Sequence, residues 1–87
     1  MLPLGNMQAR AMKHTPETIG ELVRNTRKAM GVTQKNLALT SGTGLRFIID
    51  LEKGKATCQL GKVLTVLHTL GVKTEFIAPA GNGRKGA

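Results

Sequence analysis

Residues 33–54 read TQKNLALTSGTGLRFIIDLEKG, and the fold turns on how they are read. Thr33 is a helix-capping residue. The helix it opens, Gln34–Thr40, offers only Leu37, Ala38 and Leu39 as apolar content. Two turns of helix do not persist alone in water, so tertiary packing has to hold them. Ser41-Gly42-Thr43-Gly44 breaks the chain, and a third helix follows over Leu45–Lys53, stopped by Gly54. Ile48 and Leu51 lie three apart and are expected to face inward, with Glu52 close behind. Two short helices joined by a glycine-bearing turn therefore have to brace each other.

Upstream, Thr15-Pro16-Glu17-Thr18 is a helix start: a capping threonine, a proline suited to the first helical position, and an acid at the positive end of the dipole. Ile19, Leu22, Val23 and Met30 predict one apolar face on a helix running to Met30, and Gly31 ends it. Residues 1–14 show little periodicity and are expected to form a flexible arm. Downstream, Thr57 is the expected cap of a fourth helix. Leu60, Val63, Leu64, Leu67 and Leu70 predict its apolar stripe, and Gly71 its end. The period then changes to alternation over Val72-Lys73-Thr74-Glu75-Phe76-Ile77, which predicts a short strand over 72–78. Residues 79–87 are expected to be a flexible basic tail. A lone strand has no partner inside a helical chain. The simplest solution is antiparallel pairing of Val72, Thr74, Phe76 and Ile77 with a second copy across a two-fold axis.

Composition narrows the function classes. Eighty-seven residues make one small domain, which buries only about 60% of its unfolded surface. Small domains of this kind often draw on disulfides, metal or dimerisation for stability. Cys58 is the single cysteine, so no intramolecular disulfide forms. His14, Cys58 and His68 do not fall at metal-ligand spacing; on one helix, Cys58 and His68 stand roughly 15 Å apart. Dimerisation is the support left. The net charge of +8 suggests a polyanionic partner. No apolar run approaches the roughly 18 residues of a membrane span, Trp and Tyr are absent, and no helix is strongly basic and amphipathic. The first residues lack a continuous apolar segment, so no signal peptide is expected, and the cytoplasm is the expected location. There is no phosphate-cradling glycine loop, nucleophile elbow or metal pattern, so neither an enzyme nor a cofactor is expected.

The short helix pair meets the demands of a helix-turn-helix. Ala38 is small where the helices touch, and Gly42 tolerates positive φ at the turn. Ile48 and Leu51 anchor the second helix and leave its first turn and outer face for base edges. Thr33-Gln34, Leu37-Ala38, Gly42, Ile48 and Leu51-Glu52-x-Gly54 resemble the lambda-repressor-like (XRE-type) helix-turn-helix family, over about residues 15–71. The block LRFIIDLEKGKATCQLGKVLTVLHTLGV followed by a terminal strand is closest to the HipB-like antitoxin regulators. This resemblance implies a mainly α, four-helix DNA-binding domain with a C-terminal strand that pairs across a homodimer. Ser41 and Thr43 depart from the apolar residues usual around the turn. Gly44 replaces the usual hydroxyl cap of the recognition helix, a change that costs a few tenths of a kcal/mol and leaves Thr43 as an alternative cap.

The resemblance places base reading on Gly44, Leu45, Arg46 and Asp50, with Ile49 nearby. Arginine at such a position can bond guanine O6 and N7 together; the plainer alternative is a phosphate contact, which positions without specifying. Leu45 either touches a thymine methyl or packs on the turn. Phe47 either flanks the groove or, the favoured reading, packs beneath the first helix. Thr33 and Gln34 stand at a helix N-terminus, where anions are favoured. With Lys35, Lys53 and Lys55 they are the expected phosphate contacts, unless those lysines are simply a solvated face. Glu52 is implied to pair with Arg27 as a structural ion pair.

The expected function is therefore a dimeric, sequence-specific DNA-binding repressor. The resemblance adds that it is the antitoxin of a HipBA-type module, autoregulating its operon and binding a HipA-like kinase toxin. Two other readings stay open: a phage- or plasmid-type repressor without a toxin, and a protein-interaction module with weak DNA binding, to which the apolar Leu45, Phe47 and Ile49 lend support.

Overall fold

The computed structural model describes residues 14–79, in four helices: α1 (Pro16–Ala29), α2 (Gln34–Ser41), α3 (Leu45–Glu52) and α4 (Leu60–Thr69). The N-terminal arm and the basic tail, apart from His14 and Pro79, lie outside the described residues. α1 opens with a reciprocal cap. The Thr15 hydroxyl accepts from the Thr18 N–H at 3.1 Å, and the Thr18 hydroxyl accepts from the Thr15 N–H at 2.8 Å. Pro16 follows at the first helical position, and Arg27 and Lys28 occupy the last turn.

The inward face of α1 differs from the expected one. Leu22 and Met30 are exposed; Gly20, Val23 and Arg27 are buried, with Ile19 half-buried. Hydrophobic spacing cannot register a glycine or a paired arginine as inward, which is why the face was displaced. The reason for a glycine is geometric. A Cβ on Gly20 would stand 2.3 Å from the Leu51 carbonyl oxygen, so α1 lies directly on the backbone of α3 there. Gly54 makes the reciprocal approach: at φ 85° it presses against Glu17, whose Cα would be 3.0 Å from an added Cβ.

α2 opens on Thr33, whose hydroxyl accepts from the Asn36 N–H at 3.0 Å. It buries Leu37 and Ala38 and leaves Leu39 exposed. It closes on Gly42 at φ 73°, a left-handed conformation that glycine adopts without steric cost. α3 buries Ile48 and Leu51 and packs on α1 and α2; α2 also packs on α4. The core joins these residues to Val63, Val66, Leu67 and Leu70.

α4 corrects two expectations. Its N-cap is Gln59, without a side-chain cap bond, and Thr57 lies in the preceding turn. Its buried stripe is Val63, Val66, Leu67 and Leu70, whereas Leu60 is 67% exposed and Leu64 also faces solvent. Both apolar sets satisfy helical spacing, and only the packing of α2 selects between them. Cys58, placed on α4 by the sequence reading, precedes the helix. Residues 72–79 carry neither helix nor strand in the single chain. Val72 packs at the core's edge, while Phe76 and Ile77 are 84% and 81% exposed.

Candidate nucleic-acid interface

α2, its turn and α3 form a helix-turn-helix unit fixed at both ends. At the turn, the Ser41 hydroxyl donates to the Leu37 carbonyl at 2.7 Å and lies 3.0 Å from the Thr43 hydroxyl. The Thr43 N–H reaches the Ala38 carbonyl at 3.1 Å. Ser41 and Thr43 thus serve the turn through hydrogen bonds where apolar packing is usual. Thr43 does not cap α3; its N-cap is Gly44, which makes no side-chain bond.

At the other end, Glu52 gathers three elements. Arg27 Nε donates to Glu52 Oε2 at 2.6 Å and Arg27 Nη2 to Oε1 at 3.1 Å, a two-pronged pair. Arg27 Nη1 donates to the Val32 carbonyl at 2.9 Å. Gln34 Nε2 donates to Glu52 Oε1 at 3.1 Å, which ties the N-terminus of α2 to the C-terminus of α3. The Arg27 and Glu52 side chains are only 10% and 4% exposed. The hydrogen bonds Arg27 donates to Glu52, more than the charge of Glu52, raise the Arg27 pKa against the opposing cost of burial. The guanidinium therefore stays charged at every pH at which the protein is handled.

The positions expected to read bases differ in exposure. Gly44, Leu45 and Arg46 are exposed, Arg46 at 80% of its side chain. Ile49 and Asp50 are half-buried. Asp50 stands between two cations: Arg46 Nε lies 3.6 Å from Oδ1, and Lys55 Nζ lies 3.6 Å from Oδ2. Of the expected phosphate contacts, Thr33, Lys35, Lys53 and Lys55 are exposed. Gln34 is half-buried, and one of its amide hydrogens is taken by Glu52. The network brings Gln34 beside the end of α3, next in chain to Lys53, and does not reach Gly44, whose carbonyl accepts from the Ile48 N–H at 3.2 Å. Phe47 is half-buried against the core, with the Lys62 ammonium 5.7 Å from its ring centroid, so it reaches the first turn of α4.

Sequence reasoning missed the Gln34–Glu52 bond and the seat of Gly20. The isolated glycine in the pattern of α1 was the available signal for the second. Cys58 is half-buried, and its thiol pKa is raised mainly by burial, then by Asp50, against a smaller lowering by Lys55. The thiol is therefore held mostly neutral at pH 7. Among the described residues no three metal-ligating side chains come together, and no helix is long and apolar enough to cross a membrane.

No known protein-family profile matches the chain. The chain is, however, 55% identical over 71 residues to an uncharacterised HTH-type transcriptional regulator, y4mF, of Sinorhizobium fredii. That alignment covers 82% of this chain and 92% of the relative. The protein belongs to the HTH-type transcriptional regulators.

Proposed function

We propose that the protein is a sequence-selective, duplex-DNA-binding transcriptional repressor that works as a homodimer. The observation that carries this is the exposed Arg46 at the start of α3, on a helix held rigidly against α1 and α2 by the buried Arg27–Glu52–Gln34 network. A rigid helix with a free outer face suits the major groove. The exposed N-terminus of α2, with Thr33, Gln34 and Lys35, offers backbone N–H groups to a phosphate. Lys53 and Lys55 add charge beside it. Two copies would place their α3 helices in successive major grooves, about one helical turn apart or a multiple.

Arg46→Ala is expected to cut the preference for the protein's own upstream DNA over a scrambled duplex by about tenfold, given the usual worth of a paired arginine–guanine contact. Fluorescence anisotropy on both duplexes checks this. An unchanged preference would instead favour the interaction-module reading, which the exposed Leu39 and Leu45 support.

The dimer contact is assigned to residues 72–78. Phe76 and Ile77 are apolar, exposed and continuous with Val72 at the edge of the core, and an unpaired backbone there gains a full ladder from a second copy. Deleting residues 72–87 is expected to lower dimer affinity and thermal stability together. Sedimentation at low micromolar concentration decides the matter, and a truncated chain that remains dimeric sinks the assignment. The HipB-like resemblance extends the reading to an antitoxin that represses its own operon and binds a HipA-like kinase toxin. Co-purification with the product of a neighbouring kinase gene tests that extension. Without such a partner, the same chemistry describes a phage- or plasmid-type repressor.

A further inference from the structure

We infer that Asp50 is a positioning residue for Arg46: it takes the Nε side of the guanidinium and so dedicates the two terminal amines to base recognition. The inference rests on the DNA-binding reading above. Asp50 itself is poorly placed to read a base. Its side chain is only 18% exposed, and each carboxylate oxygen faces a different cation, Arg46 on one side and Lys55 on the other. The arrangement is built locally. The Asp50 carbonyl accepts from the Lys53 N–H at 3.2 Å and the Lys55 N–H at 3.0 Å, which folds the chain after α3 back beside the carboxylate. One helical turn earlier, Arg46 sits at the i−4 position, within reach of the same group.

The consequence concerns specificity. Arginine offers five N–H donors in a rigid fork, and pairs of them can meet guanine O6 and N7. An exposed arginine samples many rotamers, most of them useless for that contact, and pays to give them up on binding. Asp50 attracts the guanidinium from its Nε side at ion-pair distance, 3.6 Å, and Nη1 and Nη2 make no hydrogen bond among the described residues. The carboxylate also opposes the phosphate backbone. Removing it is therefore expected to weaken selective binding while leaving non-selective binding unchanged or stronger. A residue that merely supported the fold would weaken both.

The test uses the full chain and a pool of duplexes with a randomised centre, sequenced after selection, for wild type, Arg46→Ala, Asp50→Asn and the double variant. Asparagine keeps the shape and loses the charge. Because both cations that face Asp50, Arg46 and Lys55, stand in solvent, their pairs with it contribute little stability, and all four proteins should melt within a few degrees of one another. The expected result is that Asp50→Asn relaxes the same base position as Arg46→Ala, by about tenfold. The double variant should be no worse than Arg46→Ala alone, and affinity for unselected duplex should hold or rise. Additive effects, or relaxation at a different base, would show Asp50 reading a base itself and overturn the proposal while leaving the repressor reading intact. No base preference in the wild type would overturn both. A wild-type preference that Arg46→Ala leaves untouched removes Arg46 from readout, and the positioning role with it.

Discussion

Gly20→Ala is expected to destabilise the domain by about 2–4 kcal/mol, although alanine is the better helix former. In an exposed helix interior the same change stabilises by roughly 0.5–1 kcal/mol. Here the new Cβ would stand 2.3 Å from the Leu51 carbonyl oxygen and 3.1 Å from that of Glu52. Both are backbone atoms of α3, so no side chain can swing aside to admit the methyl group. α1 has to lift away from α3, which loosens Val23 from Ile48 and Leu51 and pulls Arg27 from Glu52. For a chain of this size the loss corresponds to a fall in Tm of roughly 10–25 °C. Thermal unfolding followed by circular dichroism measures it. A variant as stable as the wild type would mean that α1 and α3 do not approach as described.

The second large effect is expected at Glu52. Glu52→Gln leaves the Arg27 guanidinium buried without a counter-charge, which costs about 3–5 kcal/mol for a pair this enclosed. The surface pair Arg46–Asp50 makes a useful contrast. It joins the same chemical groups, but its arginine stands in solvent, and a pair of that kind contributes only about 0.3–0.5 kcal/mol. Burial decides the difference, because removing one partner inside the protein strands the other away from water. The double change Arg27→Met, Glu52→Leu is expected to recover most of the loss, since two apolar side chains leave no stranded charge. Urea unfolding of the single and double variants checks both statements; a single variant that loses less than about 1 kcal/mol would contradict the buried pair. The pair's contribution follows pH with a definite sign. The Arg27 pKa is raised in the folded state, so the guanidinium's share of the contribution is present below its ordinary value and is lost as pH rises through the folded one. It therefore persists through the whole neutral range.

Much of the helix pair could be read in the sequence because its constraints are local. Thr33 caps, Gly42 turns, Gly54 stops, and Ile48 and Leu51 anchor, all within 22 residues of continuous chain. What escaped depends on distant partners. Gly20 is inward because Leu51 is there, and Arg27 is inward because Glu52 is there. On α4, Leu60 and Leu64 satisfy the same spacing as Val63 and Val66, and only the position of α2 tells them apart. Thr57 has the chemistry of a cap, but the turn over residues 56–58 delays the helix to Leu60. The alternation over 72–77 predicts a strand, and residues 72–79 carry none. On α3 the sequence singled out Arg46 and Asp50 as expected base contacts, but not that Arg46 and Lys55 share one carboxylate.

The central claim is that this helix pair reads duplex DNA by sequence, and that charge alone does not account for binding. It is tested most directly by titrating the full chain against DNA from upstream of its own gene and against a scrambled duplex, across a series of salt concentrations. Tighter binding to its own DNA is expected at every salt concentration, with log affinity falling steeply against log salt for both duplexes. Equal affinities that fall together with salt would contradict it, leaving a basic domain held on DNA by phosphates alone.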